Sequence, residues 1–470
     1  MDYREQGWWR DDDTAPHWLK KHASERPSAT AIVSSAGTLT WKALQARVLR
    51  VAGGLAKKGV RRGDVVAVQL PNTLEFLIAH LAINALGAVL CTIHMPYRGA
   101  EIETILGHSG AKLFLNSPSL VNELEADALE VELPAASDPF LLLYTSGTTA
   151  SPKGVLHSYR AMLGNSRNGA REHGVGANSR VLCPAPFSHL YGLYSLHCAW
   201  AVGACTVLLP AFKPEELSLA VQNLKPTALW TAPAHVAACR AAGLFDKHDW
   251  SSLELAIVSG SLAPPELVRY FKSKIRGAVT QLWGMTELQA GLYSRPGDPL
   301  EVSATSSGRP SPGTEIRLSP DGEIQVRGPS VFTGYHKSSE NAFTEDGWFR
   351  SGDLGERRGD NIAITGRTKD LINRGGVKFN PADVEQLLDL HPKVLQSALV
   401  PMPDPILGEK ACAFVVLRKA EEPVRLEELT QYLLDKKIAK NKLPERLVIV
   451  SDMPLTPTRK IMKGKLKLPE

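Results

Sequence analysis

The 470-residue chain lacks several features that would mark a special class of protein. Its six cysteines form no Cys-x-x-Cys pair and stand mostly in apolar runs. This argues against a disulfide framework and a thiolate zinc site, and indicates reduced, buried thiols in a cytoplasmic protein. The longest apolar run, residues 76–91, contains His80 and Asn84. It is shorter than the roughly 18–20 residues that span a bilayer, so we expect no transmembrane segment.

The chain also has little net charge. There are 54 Lys and Arg against 49 Asp and Glu, and the net excess of +5 falls wholly after residue 365. A hydrophobic fraction of 43% with 22% charged residues is typical of a globular protein with a large core. The polar, acidic N-terminal segment is not a signal peptide. Because the basic region has no interleaved aromatic residues, we expect no nucleic-acid partner. The sequence leaves the oligomeric state open.

The first two-thirds of the chain alternate short apolar strands with helical patterns. One predicted helix runs to about Leu86, with Asn72 as its N-cap and Glu75 as the capping-box partner. Alternation of this kind predicts an α/β fold with largely parallel sheets. The predicted strands of this part are residues 65–70, 89–93, 181–183, 205–209, 228–231 and 255–258.

From about Ser307 the pattern changes to short strands separated by Gly-rich turns, which predict a small antiparallel region. Beyond it, the helix opened by Pro381 at its first position and a second helix at 426–436 alternate with two strands. We therefore expect a large N-terminal domain, 1–366, and a small mobile α+β C-terminal domain, 367–470. The boundary rests on motifs, because no low-complexity linker marks it.

A loop of small and hydroxylated residues, YTSGTTASPKG, follows the predicted strand 140–143. Small side chains let backbone N–H groups approach a phosphate, hydroxyls add donors, and Lys153 adds charge. The loop is not a Walker A motif, which needs GxxxxGK[ST]. On composition alone, an ordinary surface loop is an equally good interpretation.

The string closely resembles YTSGTTGxPKG, the signature of the adenylate-forming superfamily. That superfamily includes acyl-CoA synthetases, nonribosomal-peptide adenylation domains and luciferases. The departure is Ala150, where Gly is usual. The resemblance implies an ATP-binding enzyme whose phosphate-binding residues are Thr145, Ser146, Gly147, Thr148, Thr149 and Lys153.

Further strings occur in the family's order, so that the resemblance covers nearly the whole chain. WGMTE resembles YGxTE, which implies that Trp283 and Gly284 line the adenine site, Thr286 binds the α-phosphate and Glu287 binds Mg²⁺. A single Glu is sufficient, because Mg²⁺ also takes phosphate oxygens and waters. SGS resembles the segment that lines the adenine and acyl pockets, which implies the same for Gly260 and Ser261.

Two strings lie near the predicted domain boundary. GWFRSGD resembles the family's GWxxTGD, and GRTKDLINRGG resembles GRxKDxIxxGG. The resemblance implies that Asp353 accepts hydrogen bonds from the ribose hydroxyls and that Arg367 binds ribose or phosphate. It also implies a hinge at Lys369, and passage of pantetheine along the strand edge at Gly375 and Gly376. Taken singly, each string is better interpreted as a turn or a solvated ion pair; the ordered set supports the family.

The last string, PLTPTRKI, resembles P(K/R)TxxGK(I/V) and places Lys460 at the catalytic lysine position. Arg459 replaces the usual Gly, and Leu455 the usual basic residue. The alternative interpretation is that Lys460 is one more solvated lysine of a basic tail.

PFSHLYG resembles the family's acyl-pocket segment, in which a His or an aromatic residue gates the site. This implies a catalytic role for His189 and pocket walls at Tyr191, Gly192, Trp230 and Ala232. Tyr191 and Trp230 are equally interpretable as core residues, and for Trp230 the core is the better interpretation. An apolar set without Asp or Arg argues against an amino acid. Medium-chain, alicyclic and aromatic acids stay open.

The sequence therefore predicts an ATP-dependent carboxylic acid:CoA ligase that uses ATP, Mg²⁺ and CoA. Two basic clusters suit the polyanionic tail of CoA, and the ten residues after Lys460 are too few for a carrier segment. Two alternatives remain: an enzyme that loads a separate carrier protein, and a catalytically silent adenylate-binding protein that has decayed at Ala150 and Arg459.

Overall fold

The computed structural model describes residues 2–145, 153–456 and 461–468. Its strands are β1 (Thr30–Ser34), β2 (Gly37–Thr40), β3 (Val65–Val68), β4 (Val89–Thr92), β5 (Leu113–Leu115), β6 (Pro139–Thr145), β7 (Lys153–Ser158), β8 (Arg180–Leu182), β9 (Cys205–Val207), β10 (Ala228–Thr231), β11 (Leu255–Val258), β12 (Ala278–Met285), β13 (Gln289–Tyr293), β14 (Arg309–Pro310), β15 (Glu315–Leu318), β16 (Glu323–Arg327), β17 (Phe349–Arg358), β18 (Asn361–Arg367), β19 (Ile372–Arg374), β20 (Val377–Phe379), β21 (Val394–Asp404), β22 (Gly408–Leu417) and β23 (Arg446–Ile449).

The helices are α1 (Ala15–Glu25), α2 (Trp41–Lys57), α3 (Leu74–Ala85), α4 (Gly99–Ser109), α5 (Pro118–Asn122), α6 (Tyr159–Glu172), α7 (Leu190–Val202), α8 (Pro214–Leu224), α9 (Pro233–Ala241), α10 (Leu244–Lys247), α11 (Pro265–Lys274), α12 (Leu300–Thr305), α13 (Ala382–Leu388) and α14 (Leu426–Asp435). Within the described ranges, no helix is long and apolar enough to cross a membrane.

The described residues group into two compact units. The first unit takes residues 2–316, 326–349 and 359–362, and the second takes 317–325, 350–358 and the chain from Ala363 onward. The chain thus passes between the units several times, whereas the predicted boundary at residue 366 assumed a single passage. Strands β15 to β18 form one four-stranded sheet, and each of them contributes residues to the second unit.

Two largely parallel sheets build the first unit. One has the order β5-β3-β4-β6-β7, and β7 alone runs antiparallel to its neighbour. The other has the order β14-β13-β12-β11-β10-β8-β9-β1-β2; its strands from β12 to β1 are parallel and its edges antiparallel. Every residue of β10 and β11 is buried, as expected for strands covered on both faces. The α/β prediction is confirmed.

The predicted cap of α3 is wrong. Thr73 is the N-cap residue, and its side chain makes no capping hydrogen bond. The Asn72 side chain is buried and bonds a distant loop, donating to Ala185 O at 2.9 Å and accepting from Phe187 N at 2.7 Å. A tertiary partner has therefore taken the amide that local spacing assigned to the helix end.

The second unit contains a five-stranded sheet. Its order is β20-β19-β22-β21, with β23 running parallel to β22 on the other side. Helices α13 and α14 supply Val384, Leu388, Leu429 and Leu433 to its core. This is the predicted small α+β domain. Pro381 is the N-cap of α13 rather than its first helical residue.

Candidate active site

Residues from two of the motifs, and one predicted pocket residue, follow neighbouring parallel strands of the nine-stranded sheet. Ala232 follows β10, Gly260 and Ser261 come just after β11, and Thr286 and Glu287 follow β12. The carboxyl ends of parallel strands meet at one edge of a sheet, which is where open α/β folds bind ligands. The fold therefore brings these motifs to one edge.

A tight hairpin between β12 and β13 presents Thr286 and Glu287. The strand pairing is irregular at Gly284, where a Cβ would lie 1.8 Å from Gln289 O. Gln289 has a positive φ of 64°. Only glycine fits at position 284, so this residue shapes the turn that carries the predicted site residues Thr286 and Glu287.

His157 fixes the backbone of this turn. Its Nε2 lies 2.6 Å from Thr286 O, and because a carbonyl only accepts, Nε2 carries the hydrogen. Burial lowers the pKa of His157 to about 4, although the bond to Thr286 opposes the shift. The ring is therefore neutral at neutral pH and acts as a fixed donor.

A contact network joins Lys153, at the end of the predicted phosphate-binding loop, to Glu287, the predicted metal ligand. Lys153 Nζ lies 2.5 Å from Glu340 Oε1 and 5.0 Å from the centre of the Tyr335 ring. The Tyr335 hydroxyl donates to Glu287 Oε1 at 3.0 Å. Burial and the neighbouring Glu287 carboxylate raise the pKa of Tyr335, so the hydroxyl keeps its proton and stays a donor.

Trp283, the predicted adenine-stacking residue, is 7% exposed. Its ring lies against Gly291 on β13, where a Cβ would come within 2.7 Å of Trp283 Cζ3. A glycine at 291 thus lets the indole pack closely on the neighbouring strand.

Gly260 has a positive φ of 97°, and Ser261 beside it is exposed.

The four predicted acyl-pocket residues are all buried. The Tyr191 hydroxyl donates to Ile257 O at 2.7 Å and contacts Thr231 O at 3.2 Å, which fastens α7 to the ends of β10 and β11. Trp230 is completely buried. A Cβ on Gly192 would lie 2.3 Å from Pro186 O, so glycine is required for close packing there.

His189 caps α7 at its N-terminus. Its Nδ1 accepts from Tyr191 N at 3.2 Å, and its ring stacks on His94 at 6.0 Å between ring centres. The side chain is half-buried. Its orientation is therefore set by the helix end and by a second imidazole.

The second unit pairs two predicted nucleotide-binding residues. Arg367 Nε lies 3.0 Å from Asp353 Oδ1, and the Asp353 side chain is 8% exposed against 40% for Arg367. Lys369 is exposed in the 3₁₀ turn Thr368–Asp370.

Gly375 and Gly376 form the turn between β19 and β20. Their positive φ values of 61° and 86° suit glycine in a two-residue hairpin loop. Thr145 ends β6 and pairs with Lys153 across the sheet. The predicted residues Ser146, Gly147, Thr148, Thr149 and Lys460 lie outside the described residues.

The donor set near Glu287 fits Mg²⁺ of the kind that binds with a nucleotide. Among the described residues there is no group of three or more His, Cys, Asp or Glu side chains that could hold a metal alone. A partly exposed carboxylate next to the Thr286 hydroxyl suits an ion that takes its remaining ligands from phosphates and water.

Sequence reasoning missed Tyr335, Glu340 and His157. One signal was available for His157, because Lys153 and His157 are four residues apart on β7 and so share a face of the strand. No local signal pointed to Tyr335 or Glu340. Glu340 is 187 residues away from its partner Lys153 along the chain, and Tyr335 is 48 residues away from its partner Glu287.

Comparison with known proteins identifies the family of the chain. Residues 19–336 match the family described as AMP-binding enzyme, and residues 383–460 match its C-terminal domain. The chain is 30% identical to the medium-chain fatty-acid–CoA ligase of Escherichia coli, over 99% of this chain and 92% of that protein. It is 32% identical to the sulfoacetate–CoA ligase of Cupriavidus necator, over 97% of each. The salicyl-AMP ligase / salicyl-S-ArCP synthetase of Mycobacterium tuberculosis is 31% identical, over 98% and 91%.

Solved structures show the same fold. The o-succinylbenzoate CoA synthetase of Bacillus subtilis, in complex with its acyl-adenylate intermediate, superposes with a TM-score of 0.87 at 27% identity, over 98% of this chain and 99% of that one. An anthranilate CoA ligase in complex with anthranoyl-AMP gives a TM-score of 0.89 at 24% identity, over 98% and 97%. The chain belongs to the adenylate-forming AMP-binding enzymes, the family of the acyl- and aryl-CoA ligases.

Proposed function

We propose that this protein is an ATP-dependent carboxylic acid:CoA ligase. It adenylates a carboxylate to acyl-AMP with release of pyrophosphate, and then forms an acyl-CoA thioester with release of AMP. The observation that carries the proposal is the network from Lys153 through Tyr335 to Glu287, which links a phosphate-binding cation to a metal-binding carboxylate.

In the first half-reaction a carboxylate oxygen attacks the α-phosphorus, and the bond to the leaving pyrophosphate breaks. Both reactants are anionic, so catalysis depends on positioning and on neutralising charge. Lys153 binds the departing phosphates, Thr286 donates to the α-phosphate, and Lys460 adds a second cation. Glu287 is the ligand for Mg²⁺, which supplies further neutralisation of phosphate charge when bound.

In the second half-reaction a thiolate attacks the acyl carbonyl, and the bond between the acyl carbon and AMP breaks. The part of the chain after Lys369 turns about this residue, which withdraws Lys460 and admits pantetheine beside Gly375 and Gly376. Asp353 and Arg367 bind the ribose of the nucleotide. An Asp353 carboxylate already paired with Arg367 is oriented to accept from a diol.

The proposed acid has an apolar body: a medium-chain, alicyclic or aromatic carboxylic acid. At the β10 and β11 ends, Ala232 is apolar and buried, and the Tyr191 hydroxyl is occupied by backbone carbonyls. An amino acid would need a buried carboxylate partner for its ammonium group.

A carrier protein is the second candidate acceptor, favoured by the salicyl-AMP ligase / salicyl-S-ArCP synthetase at 31% identity.

Acid-dependent exchange between ATP and pyrophosphate, measured over a panel of acids, tests the first half-reaction. CoA and a phosphopantetheinylated carrier protein, each added to the best acid, then identify the acceptor. Glu287→Gln is expected to abolish exchange. If no acid supports exchange in the wild type, the protein is a silent adenylate-binding protein.

A further inference from the structure

The N-terminal strap, residues 2–13, packs on the first unit outside the residues that match the family. Asp13 fastens it: this side chain is 1% exposed and receives Arg167 of α6 through two hydrogen bonds, Nε to Oδ1 at 2.8 Å and the terminal nitrogen to Oδ2 at 3.0 Å. Arg167 also donates to Trp8 O at 3.1 Å. A buried, bidentate pair of this kind holds two segments in one geometry.

Trp9 connects the strap to two further segments. Its indole Nε1 donates to Pro329 O at 2.9 Å. The guanidinium of Arg160, also on α6, lies 4.1 Å from the ring centre. Trp8 O approaches α6 so closely that a Cβ on Gly164 would lie 2.7 Å from it. The strap therefore lies against α6 and bonds the loop at Pro329.

The loop at Pro329 leads directly to the active-site network. Phe332 N donates to Glu287 O at 2.8 Å, and Tyr335 donates to the Glu287 side chain. Asn165 of α6 bonds both Ser330 and the backbone of Ala290, the third residue after Glu287. The strap therefore touches two of the segments that hold the Glu287 turn, α6 and the loop at Pro329.

We propose that Trp9 is a positioning residue for Glu287, which fixes the 329–335 loop through its bond to Pro329 and so sets the affinity of the nucleotide site for Mg²⁺. The effect of Trp9 is transmitted through this loop. The proposal rests on the proposed role of Glu287 as the Mg²⁺ ligand.

A matched pair of variants tests it. Trp9→Phe keeps an aromatic ring and removes the N–H that bonds Pro329. Trp8→Phe makes the same change one residue away, where the indole bonds Gln6 inside the strap at 3.0 Å. Calorimetric titration of ATP at a series of Mg²⁺ concentrations is the binding readout. We expect Trp9→Phe to need about two- to fivefold more Mg²⁺ for half-maximal tightening of ATP, and Trp8→Phe to match the wild type.

Hydrogen exchange provides a second readout that is independent of ligand. The Phe332 amide, bonded to Glu287 O, is expected to exchange severalfold faster in Trp9→Phe only. Equal Mg²⁺ requirements and equal exchange rates in the two variants would overturn the proposal. A wild type that binds ATP without dependence on Mg²⁺ would refute the role of Glu287, and the Phe332 amide would still decide whether Trp9 positions the loop.

Discussion

The Tyr335 hydroxyl donates a hydrogen bond to Glu287 Oε1 at 3.0 Å, while the Tyr335 ring lies 5.0 Å from the Lys153 ammonium. One aromatic residue thus contacts both the predicted metal ligand and the predicted phosphate-binding cation. Because a carboxylate has two oxygens with several lone pairs, this donor orients Glu287 without occupying all of its acceptor capacity.

Tyr335→Phe removes this donor and keeps the ring beside Lys153. We expect kcat/KM for ATP in pyrophosphate exchange to fall roughly tenfold, because hydrogen bonds to charged groups contribute about 1.5 kcal/mol or more. Tyr293→Phe is the control, since the buried Tyr293 hydroxyl has no hydrogen-bond partner among the described residues. Equal losses in the two variants would contradict the orienting role of Tyr335.

Glu340→Gln breaks the ion pair with Lys153. The two side chains are 48% and 30% exposed, so the pair is worth at most about 1 kcal/mol. Since Glu340 competes with phosphate for the same ammonium, we expect the KM for ATP to fall by up to about fivefold. Glu345→Gln, an exposed carboxamide change five residues along the chain, is the control in steady-state kinetics. A higher KM in Glu340→Gln would show that the carboxylate helps to bind ATP.

Lys460→Ala is expected to abolish adenylation and to spare thioester formation from preformed acyl-AMP. The reason is that only the first half-reaction brings two anions together. Separate assays of the two half-reactions measure this. If both survive equally, the role of Lys460 is wrong.

Lys369→Pro is expected to leave adenylation largely intact and to impair thioester formation, because proline fixes φ at the proposed hinge. The same pair of half-reaction assays applies. Equal loss of both reactions would refute a hinge at this position.

A buried histidine pair in the first unit predicts loss of stability in acid. His80 Nε2 and His197 Nε2 lie 2.9 Å apart, and both residues are completely buried. Burial lowers the pKa of His80 to about 4 and that of His197 well below its usual value. The unfolded chain therefore binds protons from about pH 6.5 downward while the folded state does not. The contribution of the pair to the free energy of unfolding is fully present above that pH and is lost as the pH falls toward 4.

Urea unfolding between pH 7.5 and pH 4.5 measures this loss. His197→Gln removes one titrating ring, so we expect the acid slope of the unfolding free energy to flatten by up to about 1.4 kcal/mol per pH unit. His17→Gln, at a half-buried histidine of α1, is the control. Identical slopes in the wild type and His197→Gln would refute the contribution of the pair.

The strands were predictable because burial on both faces demands continuous apolar runs. β10 and β11 begin and end where the sequence pattern places them. Helix caps were less predictable: Asn72 satisfies the cap pattern, yet its amide bonds the 185–187 loop. A capping residue has several possible partners, and only packing selects among them.

The sequence by itself determined the family and the α/β fold and predicted Lys153, Thr286 and Glu287 as site residues, because motif residues and strand periodicity are local properties of the chain. Tertiary structure alone decided which side chains surround them. Tyr335 and Glu340 contact Lys153 although both lie far from it in the sequence, and Trp9 bonds Pro329 across a separation of 320 residues. Such contacts depend on how strands and loops are brought together in space, and no spacing along the chain encodes them.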